Sequence, residues 1–312
     1  MIKIGVVLVT FNRLDKLKNS LEAFDKQTNK PAYILVVNNA STDGTGEFLQ
    51  EWLKTKTPYK KYVSAAPTNL GGSGGFYIGM KRAVQLNADW VWVSDDDVYP
   101  KENAFEVGSE YIEKLSDTEQ YEGELSAIAS KVVTDGKIDL MHRRNIVRSK
   151  FYAMDLKVPE EEYEKELFPV DIISFAGTII SRKAIEAVGL PERDFFIWFD
   201  DTEYSYRLRK YGRMYVIPSL EIIHDVEQAY GGSNITWKDY YGLRNEIYTY
   251  KKHHKKHVYM IKVIKKFGKS FLMYLKKDTR PRAKLFFMGI RDGVRGKLGI
   301  HPVVKPGWKP EQ

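Results

Sequence analysis

The first hundred residues alternate between short apolar runs and longer segments in which apolar side chains recur at helical spacing. Ile2–Thr10 (IKIGVVLVT) is dense in β-branched residues, which predicts a strand buried on both faces of a parallel sheet. Residues 14–27 carry an apolar side chain every three or four positions, as an amphipathic helix does. Further strands are predicted at Tyr33–Val37, Tyr62–Ala65 and Trp90–Ser94, with helices near Gly46–Lys54 and after Asn69–Gly75. This order predicts an α/β fold whose ligands bind beyond the carboxyl ends of the strands.

The pattern is less regular between residues 150 and 245. Residues 155–167 are rich in Glu and Lys and predict a surface segment, whereas the apolar Asp171–Ser181 predicts a pair of buried strands. Pro191–Arg209 leads from a loop into a helix, and a strand at Arg213–Ile217 precedes Ile222–His224. No linker-like composition interrupts this part of the chain. We therefore expect one domain over residues 1–245 and a basic helical extension over residues 246–312.

The net charge of +8 is concentrated toward the C-terminus. Tyr241–Gln312 holds 19 of the 49 Lys and Arg and four of the 41 acids, so residues 1–240 hold 30 basic and 37 acidic residues. An acidic body is not the pattern of a nucleic-acid-binding core. The basic end is expected to meet an anionic surface, such as a membrane or a nucleic acid, or else it is simply solvated.

Cysteine is absent, which excludes disulfides, thiolate metal sites and cysteine nucleophiles. Ser, Asp, Glu and His must therefore carry any chemistry. No run of about 18 apolar residues occurs, and Ile4–Val9 is too short for the apolar region of a signal peptide. These features predict a cytoplasmic protein.

Three consecutive aspartates, Asp95, Asp96 and Asp97, follow the predicted strand Trp90–Ser94. Their charges repel one another and gain nothing from packing. A divalent cation would offset the repulsion, and carboxylate oxygens suit Mg²⁺ or Mn²⁺. In an extended segment Asp95 and Asp97 point the same way, so both can reach one cation. A solvated acidic turn is the alternative.

A second carboxylate pair, Asp200 and Asp201, opens a predicted helix directly after five apolar residues (FFIWF). Acids at a helix start are common because the macrodipole favours them, so the pair needs no chemistry. An aromatic side chain such as Trp198 can also hold a sugar ring while a carboxylate takes its hydroxyl proton. His224 can complete a metal site begun by two carboxylates, although a lone histidine is more often an ordinary hydrogen-bonding residue.

These motifs occur in a fixed order: Val9–Arg13 (VTFNR), Asn38–Thr45 (NNASTDGT), Asn69–Phe76 (NLGGSGGF), the aspartate triplet and the later Asp-Asp pair. Together they resemble glycosyltransferase family two over roughly residues 3–245. That family contains inverting nucleotide-sugar transferases with the GT-A fold, a Rossmann-like and mostly parallel sheet flanked by helices. The glycine segment, the triplet and the Trp-Phe-Asp-Asp segment are most similar to polymerising galactofuranosyltransferases.

The resemblance implies a role for each matching position. It places Thr10, Phe11, Asn12, Arg13, Asn39 and Asp43 at the uridine, with Asn69 also at the donor. It implies that Asp95, Asp97 and His224 bind the metal at the donor, and that Asp96 faces the ribose or sugar. Asp201 would be the general base, Asp200 would orient the acceptor, and Trp198 would stack on the acceptor sugar.

The function implied is a metal-dependent, inverting transfer of a sugar, first galactofuranose, from UDP to a growing cell-surface polysaccharide or a lipid-linked glycan. The cofactor would be Mn²⁺ or Mg²⁺. Rhamnose, glucose and galactose are alternative sugars. A nucleotidyltransferase would need a Gly-rich basic loop where Phe11–Asp15 stands, and a nucleic-acid-binding protein would leave the carboxylate clusters unexplained.

The basic extension contains a predicted amphipathic helix over Met260–Lys277. Six lysines (Lys262, Lys265, Lys266, Lys269, Lys276 and Lys277) fall within about a third of its circumference. Much of the rest is apolar, as in a helix that lies on an anionic membrane. Peripheral attachment to the inner face of the plasma membrane would suit a lipid-linked acceptor. Alternatively, the apolar face packs on the catalytic domain or on a second subunit of a homo-oligomer.

Overall fold

A computed structural model describes residues 2–117, 121–226 and 235–309. The strands are β1 (Ile4–Thr10), β2 (Tyr33–Asn38), β3 (Lys60–Ala65), β4 (Trp90–Asp95), β5 (Val98–Pro100), β6 (Leu125–Thr134), β7 (Lys137–Ile138), β8 (Arg143–Arg148), β9 (Ala153–Lys157), β10 (Phe168–Pro169), β11 (Ile172–Ile173), β12 (Thr178–Ser181) and β13 (Arg213–His224). The α-helices are α1 (Leu14–Asp25), α2 (Thr45–Lys54), α3 (Gly71–Ala83), α4 (Ala104–Leu115), α5 (Arg182–Val188), α6 (Asp200–Tyr211), α7 (Lys238–His253), α8 (Lys256–Leu275) and α9 (Arg280–Arg295).

The main sheet follows the order β10-β13-β6-β12-β4-β1-β2-β3. Its N-terminal part is parallel, and the register pairs Val9 of β1 with Asp95 of β4 and Thr10 with Asn38 of β2. The carboxyl ends of these three strands therefore meet at one edge of the sheet.

Strand β1 is buried on both faces, as its sequence predicts. Val7 and Val9 belong to a buried cluster with Met80 of α3, whereas Val6 and Leu8 belong to a second cluster that contains residues of α1 and α4. The alternation of side chains along a strand sends neighbours to opposite faces, so helices cover both sides of the sheet.

The sheet is mixed because β12 runs antiparallel to both of its neighbours, β4 and β6. The sequence analysis predicted a pair of buried strands over Asp171–Ser181, and two buried strands, β11 and β12, form there. They do not pair with each other, because β11 pairs with β8 in a separate three-stranded sheet. Both strands are buried and apolar, but their partners are distant in sequence, and an apolar run does not specify a partner.

The segment Asn69–Gly75 was predicted to be a loop that leads into a helix, but the helix α3 already begins within it, at Gly71. A Cβ at Gly75 would lie 2.4 Å from Val9 Cγ1, and a Cβ at Gly79 would lie 2.3 Å from Val7 Cγ1. Gly71 has a φ of +70°, and a Cβ there would collide with the carbonyl oxygen of Phe196. These glycines let the helix pack directly on β1 and on the segment that precedes α6.

The C-terminal helices pack on the body of the protein through α7. Gly289 and Gly293 of α9 face α7, where a Cβ at Gly293 would be 2.5 Å from the Arg244 carbonyl oxygen. Tyr240 donates a hydrogen bond to Asp292 at 2.9 Å, and Tyr241 donates to the carbonyl of Val304 at 2.8 Å. The predicted division at residue 245 falls inside α7, and it stays a prediction.

Helix α8 confirms the predicted helix. Its apolar side chains point outward, and Ile264 and Phe267 are 64% and 53% exposed. The six predicted lysines are divided: Lys262 and Lys266 approach Glu246 of α7 at 2.7 and 2.5 Å, whereas the other four are exposed. Sequence periodicity cannot foresee a partner such as Glu246. Within the described ranges, no helix has the length and hydropathy needed to cross a bilayer.

Glu203 joins α6 to α7 through a buried charge cluster. Its side chain is fully buried and accepts hydrogen bonds from Arg207 Nη2 and His253 Nε2, both at 2.8 Å. Lys252 Nζ lies 2.9 Å from the same carboxylate. Burial alone would raise the pKa of Glu203, but these donors lower it to about 2. The Glu203 carboxylate is therefore negatively charged in the folded protein at neutral pH.

We expect Glu203→Gln to reduce the free energy of unfolding by about 3 kcal/mol at pH 7, because it removes the buried negative charge around which Arg207, Lys252 and His253 are arranged. The depressed pKa contributes stability above the ordinary value of 4.5, and this contribution is lost as the pH falls toward 2. The loss should therefore be smaller at pH 3 than at pH 7 in urea unfolding. Glu186→Gln removes an exposed carboxylate 3.8 Å from Arg182 and should have little effect; equal losses in both variants would contradict the prediction.

Candidate active site

A cleft of about 520 Å³ opens at the carboxyl ends of β1, β2 and β4. Among the residues predicted for the site, those that line it are Thr10, Phe11, Arg13, Asn39, Asn69, Asp95, Asp96, Asp97, Trp198, Asp200, Asp201 and His224. The fold thus brings together both carboxylate clusters, which are about a hundred residues apart in the sequence. The roles assigned to the individual residues stay predictions.

Asn12 and Asp43, predicted to contact the uridine, are not among the described residues that line this cleft. Asn12 Oδ1 accepts a hydrogen bond from the Thr42 amide at 2.7 Å. Asp43 accepts from the amide of Leu14 at 3.0 Å and from the Thr45 hydroxyl at 2.6 Å. Both side chains therefore tie the loop after β1 to the loop after β2, the two loops that frame the cleft.

The aspartate triplet is held by residues from the end of β1. Thr10 donates to Asp96 at 2.7 Å, and Arg13 Nη1 donates to Asp97 at 2.6 Å and to Asp96 at 3.3 Å. Burial raises the pKa of Asp96 to about 6, and burial with repulsion from Asp97 and Asp96 raises the pKa of Asp95. Burial would also raise the pKa of Asp97, but His224 and Arg13 lower it. The cleft thus concentrates negative charge that cations must offset.

The residues around Asp97 fit a divalent cation. Asp97 Oδ1 is buried without a hydrogen-bond partner, and it lies 3.6 Å from His224 Nε2. Asp95 lines the cleft beside it. Carboxylate oxygens near an imidazole form a donor set that suits Mn²⁺, whereas Mg²⁺ prefers oxygen alone.

The segment before α6 has an unusual backbone. Phe196, Trp198 and Phe199 all have left-handed φ values, of 69°, 62° and 70°. Such conformations are strained for large side chains and persist only where the surroundings hold them. Here they turn the chain so that Asp200 and Asp201 face the cleft. Burial and repulsion from Asp201 raise the pKa of Asp200 to about 7.

Arg244 and Asn245 of α7 hold this strained segment. Asn245 Nδ2 donates to the carbonyls of Phe195, Ile197 and Trp198 at 2.9–3.0 Å. Arg244 Nη2 donates to the Phe195 carbonyl at 2.9 Å. Both side chains are buried. Sequence reasoning missed them because no pattern singled out this pair, and a polar pair inside a helix gives no signal of which loop it will meet.

Three further cleft residues were missed by the sequence analysis. Lys238 begins α7 and lies 5.9 Å from the ring centre of Trp198, and burial beside Arg13 lowers the pKa of Lys238. His142 and Ser174 also line the cleft: the His142 ring lies 5.0 Å from the His224 ring, and its Nδ1 is 2.8 Å from the Ser174 hydroxyl. A signal for His142 was present, because Asp139 precedes it by three residues, a spacing at which two ligands can share a site.

Comparison with known proteins agrees with this arrangement. The sequence profile described as Glycosyl transferase family 2 matches residues 5–187. The chain belongs to this family. The family membership and the α/β, GT-A-like fold predicted from the motifs are thereby confirmed.

The individual relatives include both a galactofuranosyltransferase and a rhamnosyl transferase. Galactofuranosyltransferase GlfT1 of Mycobacterium tuberculosis is 30% identical over 207 residues, a match that covers 66% of this chain and 64% of GlfT1. The dTDP-rhamnosyl transferase RfbF of Shigella flexneri is 24% identical, covering 95% of this chain and 97% of RfbF. The structure of GalNAc-T7 with UDP, GalNAc and Mn²⁺ superposes with a TM-score of 0.62 at 15% identity, covering 95% of this chain and 58% of that chain.

We expect Asn245→Ala to loosen the segment before α6, because it removes three hydrogen bonds from buried carbonyls, at a cost of about 1–3 kcal/mol. Hydrogen exchange should become faster in residues 195–201 and stay unchanged in β1. Mass spectrometry of peptic fragments makes the comparison within one sample. Uniformly faster exchange, or no change in residues 195–201, would contradict the assigned role.

Proposed function

We propose that this family member is a metal-dependent, inverting glycosyltransferase that moves a sugar from UDP to a glycan acceptor. The observation that carries the proposal is the single cleft that joins the end of β1, the aspartate triplet and the Asp200–Asp201 pair. A donor site and an acceptor base must adjoin for direct displacement at the anomeric carbon.

The donor half of the cleft is suited to a nucleoside diphosphate. Phe11 is 37% exposed at the cleft and offers a surface for the base, while Asn39 and Asn69 supply amide groups. Arg13 and Lys238 provide positive charge for the diphosphate. A bound Mn²⁺ or Mg²⁺ would be held by Asp95, Asp97 and His224, and would offset the charge that develops on the leaving diphosphate.

The acceptor half contains the proposed base. Asp201 Oδ1 accepts a hydrogen bond from the Thr202 hydroxyl at 3.0 Å, and that hydroxyl accepts one from Arg144 at 2.7 Å. This chain of contacts fixes the carboxylate that would take the proton of the acceptor hydroxyl. Asp200, with its raised pKa, would orient the acceptor, and the half-exposed Trp198 would stack on its sugar ring.

Galactofuranose is the first donor sugar that we propose, on the likeness to GlfT1 and on the Asn69–Phe76, triplet and Trp-Phe-Asp-Asp motifs. Rhamnose is the second candidate, because the likeness to RfbF extends over nearly the whole chain. Glucose and galactose remain alternatives. Membership of the family disfavours a nucleotidyltransferase and a nucleic-acid-binding role.

The test is a screen of UDP-galactofuranose, dTDP-rhamnose, UDP-glucose and UDP-galactose with the full chain and Mn²⁺, measuring release of the nucleotide. We expect UDP-galactofuranose to be used. Asp201→Asn should lower turnover by about 10²-fold or more and leave UDP affinity nearly unchanged, because it removes the base but keeps its shape.

Asp15→Asn, on an exposed part of α1, is the matched control and should behave like the parent. If the enzyme uses dTDP-rhamnose alone, then dTDP-rhamnose and not UDP-galactofuranose is its donor. Release from none of the four, or normal turnover in Asp201→Asn, would contradict the mechanism.

We further propose that α8 attaches the enzyme to an anionic membrane that carries a lipid-linked acceptor. Ile264, Phe267 and Phe271 form an outward apolar stripe, and Lys265 and Lys269 are exposed on the same helix. Lys276 and Lys277, also exposed, follow at its end. Apolar side chains flanked by lysines match the interface of an anionic bilayer.

The full chain should float with vesicles of phosphatidylcholine and phosphatidylglycerol at low salt. Replacing Ile264, Phe267 and Phe271 with Asn should weaken binding by about tenfold or more, since each buried apolar side chain contributes about 1.5–3 kcal/mol. Leu53→Asn, which changes an exposed leucine on α2, is the control. Unchanged flotation of the triple variant would contradict the proposed membrane attachment through α8. A concentration-dependent dimer in place of vesicle binding would show that the apolar stripe contacts a second copy of the chain instead.

A further inference from the structure

An apolar groove lies between the β8–β9 hairpin and helix α8, outside the cleft of the candidate active site. Tyr152 and Met154 of the hairpin line one wall, and Val258 and Ile261 of α8 line the other. The groove encloses about 260 Å³, slightly less than the usual range of about 300–1,000 Å³ for a small-molecule pocket. This volume accommodates one extended apolar chain and not a peptide helix, whose diameter is about 10–12 Å.

Hydrogen bonds to the hairpin backbone hold the two walls in place. Tyr250 of α7 donates to the Ala153 carbonyl at 2.9 Å. At the hairpin turn, His257 Nε2 of α8 lies 2.7 Å from the Lys150 carbonyl oxygen. Because α7 and α8 both bind the backbone of the hairpin, the groove is set by the fold and not by loose side chains on the surface.

The surroundings of the groove are positively charged. Neither residues 145–154 nor residues 253–275, the segments that supply the two walls, contain an Asp or a Glu. Lys265 lines the groove, is exposed and makes no ion pair within the described part of the chain, whereas Lys262 pairs with Glu246 at 2.7 Å. The groove therefore complements an apolar chain that ends in an anionic group.

Strand β8 connects this groove to the acceptor half of the cleft. Near the start of the strand, Arg144 donates to the Thr202 hydroxyl at 2.7 Å, and that hydroxyl donates to Asp201. Val147, which pairs with Met154, is three residues further along, or about 10 Å at 3.3 Å per residue. One strand thus spans the distance from the groove to the contacts of the proposed base.

We propose that this groove holds the lipid chain of the acceptor, with the phosphate of that lipid at Lys265. This inference rests on the proposed transfer to a lipid-linked glycan, and it names the occupant as a single-chain lipid phosphate. The outward stripe of α8 lies on the bilayer, the groove takes the chain that carries the glycan, and the glycan extends along the hairpin toward Asp201.

The probe is dodecyl phosphate, a single apolar chain with an anionic head, kept below its micelle-forming concentration. Calorimetry with the full chain and without vesicles should show one binding site. Ile261→Asn should lower the affinity by about tenfold or more, because it replaces an apolar wall with an amide. Lys265→Gln should lower it by about two- to fivefold, because it removes an exposed charge.

Ile264→Asn is the matched control. Ile264 is three residues from Ile261 on the same helix, is 64% exposed and does not line the groove. This variant should bind dodecyl phosphate as the parent does, whereas vesicle flotation should be unchanged in Ile261→Asn. If Ile261→Asn does not fold, Met154→Asn on the opposite wall decides, since Met154 is 43% exposed.

No binding of dodecyl phosphate by the parent below about 1 mM overturns the proposal, as does equal affinity in the parent and the groove variant. Dihexanoylphosphatidylglycerol divides its chain carbons between two short chains and should bind at least about tenfold more weakly. Equal affinity for it would assign the groove to bulk phospholipid and would also overturn the proposal. A parent that binds dodecyl phosphate but releases no nucleotide from any donor counts against the proposed function alone. A parent that releases UDP but does not bind dodecyl phosphate counts against the groove alone.

Discussion

Mutual repulsion among carboxylates is the constraint on which the rest of this structure depends. The described lining of one cleft holds Asp95, Asp96, Asp97, Asp200 and Asp201. Burial raises the pKa of Asp96 to about 6 and, with repulsion from Asp201, that of Asp200 to about 7. Buried like charges are costly, so a fold that collects them must supply cations or protons. Arg13 supplies part of the compensation. The proposed divalent cation and a protonated Asp200 would supply the rest.

The cleft also depends on the C-terminal helices, although the family match ends at residue 187. Asn245 bonds three carbonyls of the strained segment that carries Trp198 and precedes Asp200. Arg244 bonds the same segment and, through the Gly299 carbonyl, the chain that follows α9. The residues after α6 therefore act as a support that sets the position of Trp198, Asp200 and Asp201 in the cleft. A surface helix, α8, is attached to this support through Glu246.

The geometry also separates two kinds of polar residue in the motifs. Thr10 and Arg13 reach the cleft and bond the aspartate triplet, whereas Asn12 and Asp43 bond the loops that frame it. A motif can thus combine residues that line the cleft with residues that hold its loops in shape. Membership of the same sequence motif does not distinguish these two roles.

The sequence alone determined the α/β order, the doubly buried β1 and the placement of the aspartate triplet at a strand end. These follow from local periodicity, because burial on one or both faces leaves its pattern in neighbouring residues. Only the tertiary structure decided that β11 and β12 join different sheets, that Lys262 and Lys266 of α8 pair with Glu246, and that His142 lies beside His224. Each of these depends on contacts between segments distant in sequence, and the free energy of such a contact belongs to the pair rather than to either segment.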